Sequence, residues 1–120
     1  MLCFVVSFAK AEKHRWGYDL YWELNNGVLT ISGNGAMPNY SKPWKDKGNV
    51  ENVVIESGVT SIGNGLFKEF DGPHYLKSVV IGNSVTSIGK YAFDGCSSLT
   101  SVTIPNSVTS IEEGAFFVCI

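Results

Sequence analysis

Residues 78–93 read SVVIGNSVTSIGKYAF and residues 101–116 read SVTIPNSVTSIEEGAF, so the chain writes one pattern twice at a spacing of 23. A period of this size means supersecondary units stacked one upon another, and that removes most single-core topologies before any motif is considered. Between residues 75–97 and 98–120, 13 of 23 positions are identical, among them Val79/Val102, Ile81/Ile104, Ile88/Ile111, Phe93/Phe116 and Cys96/Cys119. A third copy stands upstream at a spacing of 26, with Val50, Val53, Ile55, Val59, Ile62, Leu66 and Phe67. Its three extra residues fall within KEFDGPHY, as a loop on one side of a stacked array allows.

Within each copy the apolar residues follow L-x-x-V-x-I-x-x-x-V-x-x-I-x-x-x-A-F-x-x-C. SVTI alternates with period two and is rich in β-branched residues, which predicts a strand. Gly82 or Pro105 ends it, since proline cannot donate to a ladder and glycine weakens one. SVTSI predicts a second short strand, and KYAFDG and EEGAFF predict short helical turns. A single copy cannot bury enough apolar surface to fold by itself, so neighbours must share apolar faces and complete each other's strand hydrogen bonds. The repetition is therefore architectural.

The unit SLTSVTIPNSVTSIEEGAF followed by xxC, seen at 98–119 and slightly altered at 75–96, resembles that of the BspA-like leucine-rich repeat family. The stretch WELNNGVLTISGNGAMPNY followed by PW is similar to the region that precedes the first repeat in such proteins. The resemblance covers roughly residues 16–120 and implies an α/β leucine-rich repeat: a right-handed, β-rich solenoid. It further implies a place on the surface of a bacterium or protist parasite, with adhesion to host matrix proteins or to other cells. In the leader, YDLYWEL and VLTISG flank Asn25-Asn26-Gly27, which predicts a β-hairpin. Its predicted role is to cap the first exposed apolar face of the solenoid. The expected organisation is an N-terminal segment at 1–15, a β cap at 16–48, and three repeats at 49–74, 75–97 and 98–120.

Bulk charge narrows the partners. A net charge of −2 supplies no basic footprint for nucleic acid, and Lys10, Lys13 and Arg15 read as a solvated terminus. No apolar run is long enough to span a membrane. MLCFVVSFAKA resembles the back half of a secretory signal without its basic n-region; an N-terminal strand or a misplaced start codon is the other reading. At the other end the chain stops at FFVCI, directly after a repeat cysteine. The last coil is therefore expected to be uncapped and to offer a route to self-association.

Candidate chemistry is sparse. Stacking places Cys96 and Cys119 about 4.8 Å apart, inside the disulfide window, but side chains pointing in parallel disfavour the bridge dihedral. A buried ladder of small hydrophobes is the better reading. His74 lies in the insertion near Glu69 and Asp71, where an exposed Asp-Gly-Pro turn outweighs a metal or acid–base site. The Gly-x-Gly at 33–35 lacks the residues of a phosphate loop. Asn39-Tyr40-Ser41 is a glycosylation sequon that matters only in a eukaryotic secretory route. Trp16, Trp22 and Trp44 are expected to fill the core of the cap. No cofactor, metal site or catalytic residue is expected.

What remains for function is surface. Asn52, Ser78 and Ser101 are expected to form one outward row on the first strand of each coil, and Val54, Val80 and Thr103 the next. Phe70, His74 and Tyr75 are expected to project beside them from the insertion, since aromatic residues favour binding hot spots. These nine residues are the candidate protein-binding surface. The expected function is a non-enzymatic, cell-surface or secreted adhesion module for host or partner-cell proteins. The alternative is a structural repeat fragment that assembles end to end.

Overall fold

The computed structural model describes residues 12–68 and 76–117. Alternating β-branched residues produce ten short strands: β1 His14–Trp16, β2 Leu20–Asn25, β3 Val28–Gly33, β4 Gly35–Ala36, β5 Asn52–Ile55, β6 Val59–Ile62, β7 Ser78–Ile81, β8 Ser87–Ile88, β9 Ser101–Thr103 and β10 Ser110–Ile111. They form two sheets, one ordered β1-β2-β3-β5-β7-β9 and the other β10-β8-β6-β4. Each repeat contributes one strand to each sheet. The pairings β5/β7 and β7/β9 are parallel and unshifted, with Val53 opposite Val79 and Val79 opposite Val102. The chain therefore coils as a β-solenoid of about three turns, as the period of 23 requires.

The leader enters as a hairpin. β2 and β3 pair antiparallel across Asn26 and Gly27, both at positive φ, which suits the right-handed twist of the strands. β3 then pairs parallel with β5, Leu29 opposite Val53 and Ile31 opposite Ile55. Thus the leader also supplies a degenerate coil that begins the stack. Trp44 confirms its phase. It stands 23 residues before Phe67 and stacks on that ring at 5.7 Å, and the column continues through Phe93 and Phe116 at 5.2 Å per step. Trp16 meets Trp44 edge-on at 5.1 Å and Trp22 does so at 6.4 Å, so buried indoles wall off this end of the core.

The expected short helical turns are absent: among the described residues there is no helix, and KYAFDG and EEGAFF are turns instead. The reason is visible in the hydrogen bonds. Alternate corner amides donate to the following coil, Gly65 to Lys90 O, Phe67 to Ala92 O, Tyr91 to Glu113 O and Phe93 to Ala115 O, while only those between them, such as Ala92 to Gly89 O and Asp94 to Tyr91 O, donate back along their own turn. The corner residues Tyr40, Gly65, Tyr91 and Gly114 also share a left-handed φ of 55–65°, which no right-handed helix accommodates. Tyrosine and glycine alternate here because each ring lies over the glycine of the next coil, Tyr40 on Gly65 and Tyr91 on Gly114. Asparagines complete the corner. Asn39 Oδ1 accepts from Asn64 N, and Asn64 Oδ1 accepts from Lys90 N, both at 2.8 Å.

Candidate functional site

Strand alternation sends Val53, Ile55, Val79 and Ile81 into the core and turns their neighbours outward. On the outer face of the six-stranded sheet, Asn52 stands opposite Ser78 and Ser78 opposite Ser101. Beside that row Val54 stands opposite Val80, and Val80 opposite Thr103. The two expected rows are therefore brought together in register. Ser78 Oγ donates to Asn52 Oδ1 at 2.6 Å, tying adjacent coils across the first row. Val80 lies at the centre of the second row with 50% of its surface exposed.

The rows run further than the repeats. Val28 opposes Asn52 and Thr30 opposes Val54, so β3 adds one residue to each row, and Asn25 and Glu23 of β2 follow. Sequence reasoning missed Val28 and Thr30 because VLTISG was read as a hairpin arm. Its inward Leu29 and Ile31, in phase with the repeat strands, are the signal that marks them. From β3 to β9 the two rows contain no charged residue. Such a face offers β-branched contact and small hydrogen-bonding groups to anything that settles on it.

Phe70, His74 and Tyr75 lie outside the described residues. Where their segment departs, a half-open cavity of about 100 Å³ is lined by Lys42, Trp44, Val50, Leu66, Phe67, Lys68 and Leu76. Lys42 Nζ donates to the Lys68 carbonyl at 2.6 Å, while Lys68 Nζ lies 3.6 Å from Asp94 Oδ2 and 5.3 Å from the centre of the Tyr91 ring. The Glu113 carboxylate beside the Tyr91 hydroxyl raises that phenol above its ordinary value. Cys96 is buried and its thiol donates to the Phe67 carbonyl at 3.1 Å; its expected ladder partner Cys119 lies outside the described residues. His14 stacks on Trp22 at 4.3 Å. No group of three or more His, Cys, Asp or Glu side chains among the described residues is placed to hold a metal ion, and no described helix is long and apolar enough to cross a membrane.

Residues 40–120 match a family model described as a BspA type leucine-rich repeat region of six copies. Among solved structures, the chain is similar to a leucine-rich repeat protein from Eubacterium ventriosum, with 35% identity and a TM-score of 0.73 over 86% of this chain and 28% of that one. It is also similar to a leucine-rich cell surface protein from Faecalibacterium prausnitzii, with 26% identity and a TM-score of 0.58 over 92% of this chain and 35% of that one. The chain thus spans about a third or less of the length of either protein. No curated protein matches it.

Proposed function

The chain belongs to the BspA-type leucine-rich repeat family, and from that premise we propose that it is a non-enzymatic protein-binding module, displayed at the cell surface or secreted, that holds host matrix or partner-cell proteins. The observation that carries the reading is the pair of uncharged rows on the outer face, Val28–Asn52–Ser78–Ser101 and Thr30–Val54–Val80–Thr103, locked in register by the coils beneath. A flat, rigid ladder of this kind loses little freedom when a partner settles on it. The naming of the Faecalibacterium relative as a cell surface protein supports the placement outside the cell. Phe70, His74 and Tyr75 belong to the same proposal as flanking contacts.

The test is capture of extracellular matrix proteins and whole cells by the immobilised chain. Val80→Glu should weaken capture at least about tenfold, because a carboxylate would be desolvated at the centre of the contact. Its free energy of unfolding should stay within about 0.5 kcal/mol of the parent, as for other exposed positions. Capture by the parent should also change little with ionic strength, since the rows contribute no charge. Unchanged capture by Val80→Glu would remove the outer face from consideration. Unchanged capture after alanine replacement of Phe70, His74 and Tyr75 would remove those three.

A further inference from the structure

The chain contains three Asn-Gly pairs, at residues 26–27, 34–35 and 64–65. Asparagine is a thermolabile residue, and a glycine after it leaves the peptide nitrogen unshielded by any side chain. The fold treats the three pairs differently. Gly35 N donates to Gly58 O at 3.0 Å and Gly65 N donates to Lys90 O at 2.9 Å, so both nitrogens are held by the neighbouring coil. In the pair at 64–65 the side chain is held as well, since Asn64 Oδ1 accepts from Lys90 N at 2.8 Å. At Asn26-Gly27 neither group is held. Among the described residues, none accepts from Gly27 N and none bonds the Asn26 side chain. Asn26 is exposed at the tip of the two-residue turn between β2 and β3.

We propose that Asn26-Gly27 is a self-modification site, whose cyclisation converts position 26 to isoaspartate or aspartate and loosens the leader from the first repeat coil. Gly27 N attacks Asn26 Cγ. The N–Cγ bond forms, the Cγ–Nδ2 bond breaks, and ammonia leaves carrying the proton that Gly27 N gives up. Solvent water then opens the five-membered imide at one of its two carbonyls. Opening at Cγ leaves aspartate, and opening at the Asn26 main-chain carbonyl leaves isoaspartate, with the chain routed through Cγ. Ring closure requires only that one exposed turn open locally, whereas the two clamped pairs react only when neighbouring coils part.

The turn is also where the hairpin is fastened to the coils. Gly27 O accepts from both Glu51 N at 2.7 Å and Asn52 N at 3.0 Å. The Glu51 side chain lies over Gly27, where a Cβ would meet Glu51 Cγ at 3.3 Å. Isoaspartate adds a methylene to the main chain of a two-residue loop, and loop length fixes the register of a hairpin. Gly27 O is thereby displaced from its two donors. Either product also places a carboxylate one residue from the glycine that Glu51 covers, and the like charges repel.

Incubation of the 120-residue chain at mildly alkaline pH, followed by proteolysis and mass spectrometry with separation of aspartate and isoaspartate peptides, tests this. Asn26 should convert at least about tenfold faster than Asn34 or Asn64, because clamped amides react only after their hydrogen bonds open. In urea that unfolds the chain, the three should convert at similar rates. Asn26→Gly, which suits the positive φ of the turn, should abolish the early release of ammonia and keep the circular dichroism of the parent. Converted chains, separated by ion exchange, should show a tryptophan fluorescence transition at lower urea than fresh chains. Equal conversion of the three pairs in the folded chain would overturn the proposal, as would an Asn26 that stays intact while the unfolded chain converts. Converted and fresh chains with the same transition would overturn the loosening of the leader.

Discussion

Phe93→Ala should cost about 3–5 kcal/mol, a large share of the stability of a domain of this size. Phe93 is fully enclosed, and its ring is held between Phe67 and Phe116, 5.2 Å from each and tilted by 11° and 7°. Deleting it opens a void in the middle of the column. The rings on either side cannot close that void, because each is fixed to a coil whose spacing is set by backbone hydrogen bonds. Phe116→Ala provides the internal comparison. That ring is half-buried with one stacked neighbour among the described residues, so its loss should cost about half as much. Urea unfolding followed by circular dichroism reads both. Equal costs at the two sites would refute the idea that stacking between coils holds the molecule together.

Gly33→Ala should be nearly as damaging, at about 3 kcal/mol, although it adds only a methyl group. Gly33 closes the hairpin at a φ of +100°, and a Cβ there would overlap the Asp19 carbonyl oxygen. That oxygen is not free to retreat, since it accepts from Asn34 N at 2.9 Å. The carbonyl of Gly33 in turn lies against Gly58 of the next coil, so a shift would pass into the solenoid. All three tryptophans sit in the leader, which separates the two effects spectroscopically. In Gly33→Ala the tryptophan fluorescence transition should fall to lower urea than the circular dichroism transition. Coincident transitions displaced together would show that cap and coils unfold as one unit.

The coils were legible in the sequence because stacking imposes identical chemistry on equivalent positions. Val79 and Val102 recur for the same reason that they pair. The outward residues Asn52, Val54, Ser78, Val80, Ser101 and Thr103 followed from alternation alone, since period two leaves them no other side. The corners were not legible. KYAFDG has the composition of a helical turn, and nothing local reveals that every second amide, those of Tyr91, Phe93 and Gly95, is claimed by the next coil. Local propensity lost there to partners 22 residues away. The leader's coil was hidden differently: tryptophan replaces phenylalanine at Trp44, and the short β4 follows a register shift against β6, so identity fails while geometry persists. The asparagine pair Asn39 and Asn64 carried no periodic signal, because the ladder stops at Lys90.

One column of corner bonds runs in a single sense and gives that edge of the solenoid an electrical polarity. Tyr40 donates to Asn64, Gly65 to Lys90 and Tyr91 to Glu113, so the peptide dipoles in this column point along the coil axis in one sense. Dipoles aligned head to tail add, as they do along an α-helix, and along the described coils the positive end of this column points toward the coil of Glu113. Glu112 and Glu113 stand toward that positive end, where a carboxylate is favoured, so the acidic pair that distinguishes the third repeat from its predecessor's Gly89 and Lys90 sits where the backbone itself attracts negative charge.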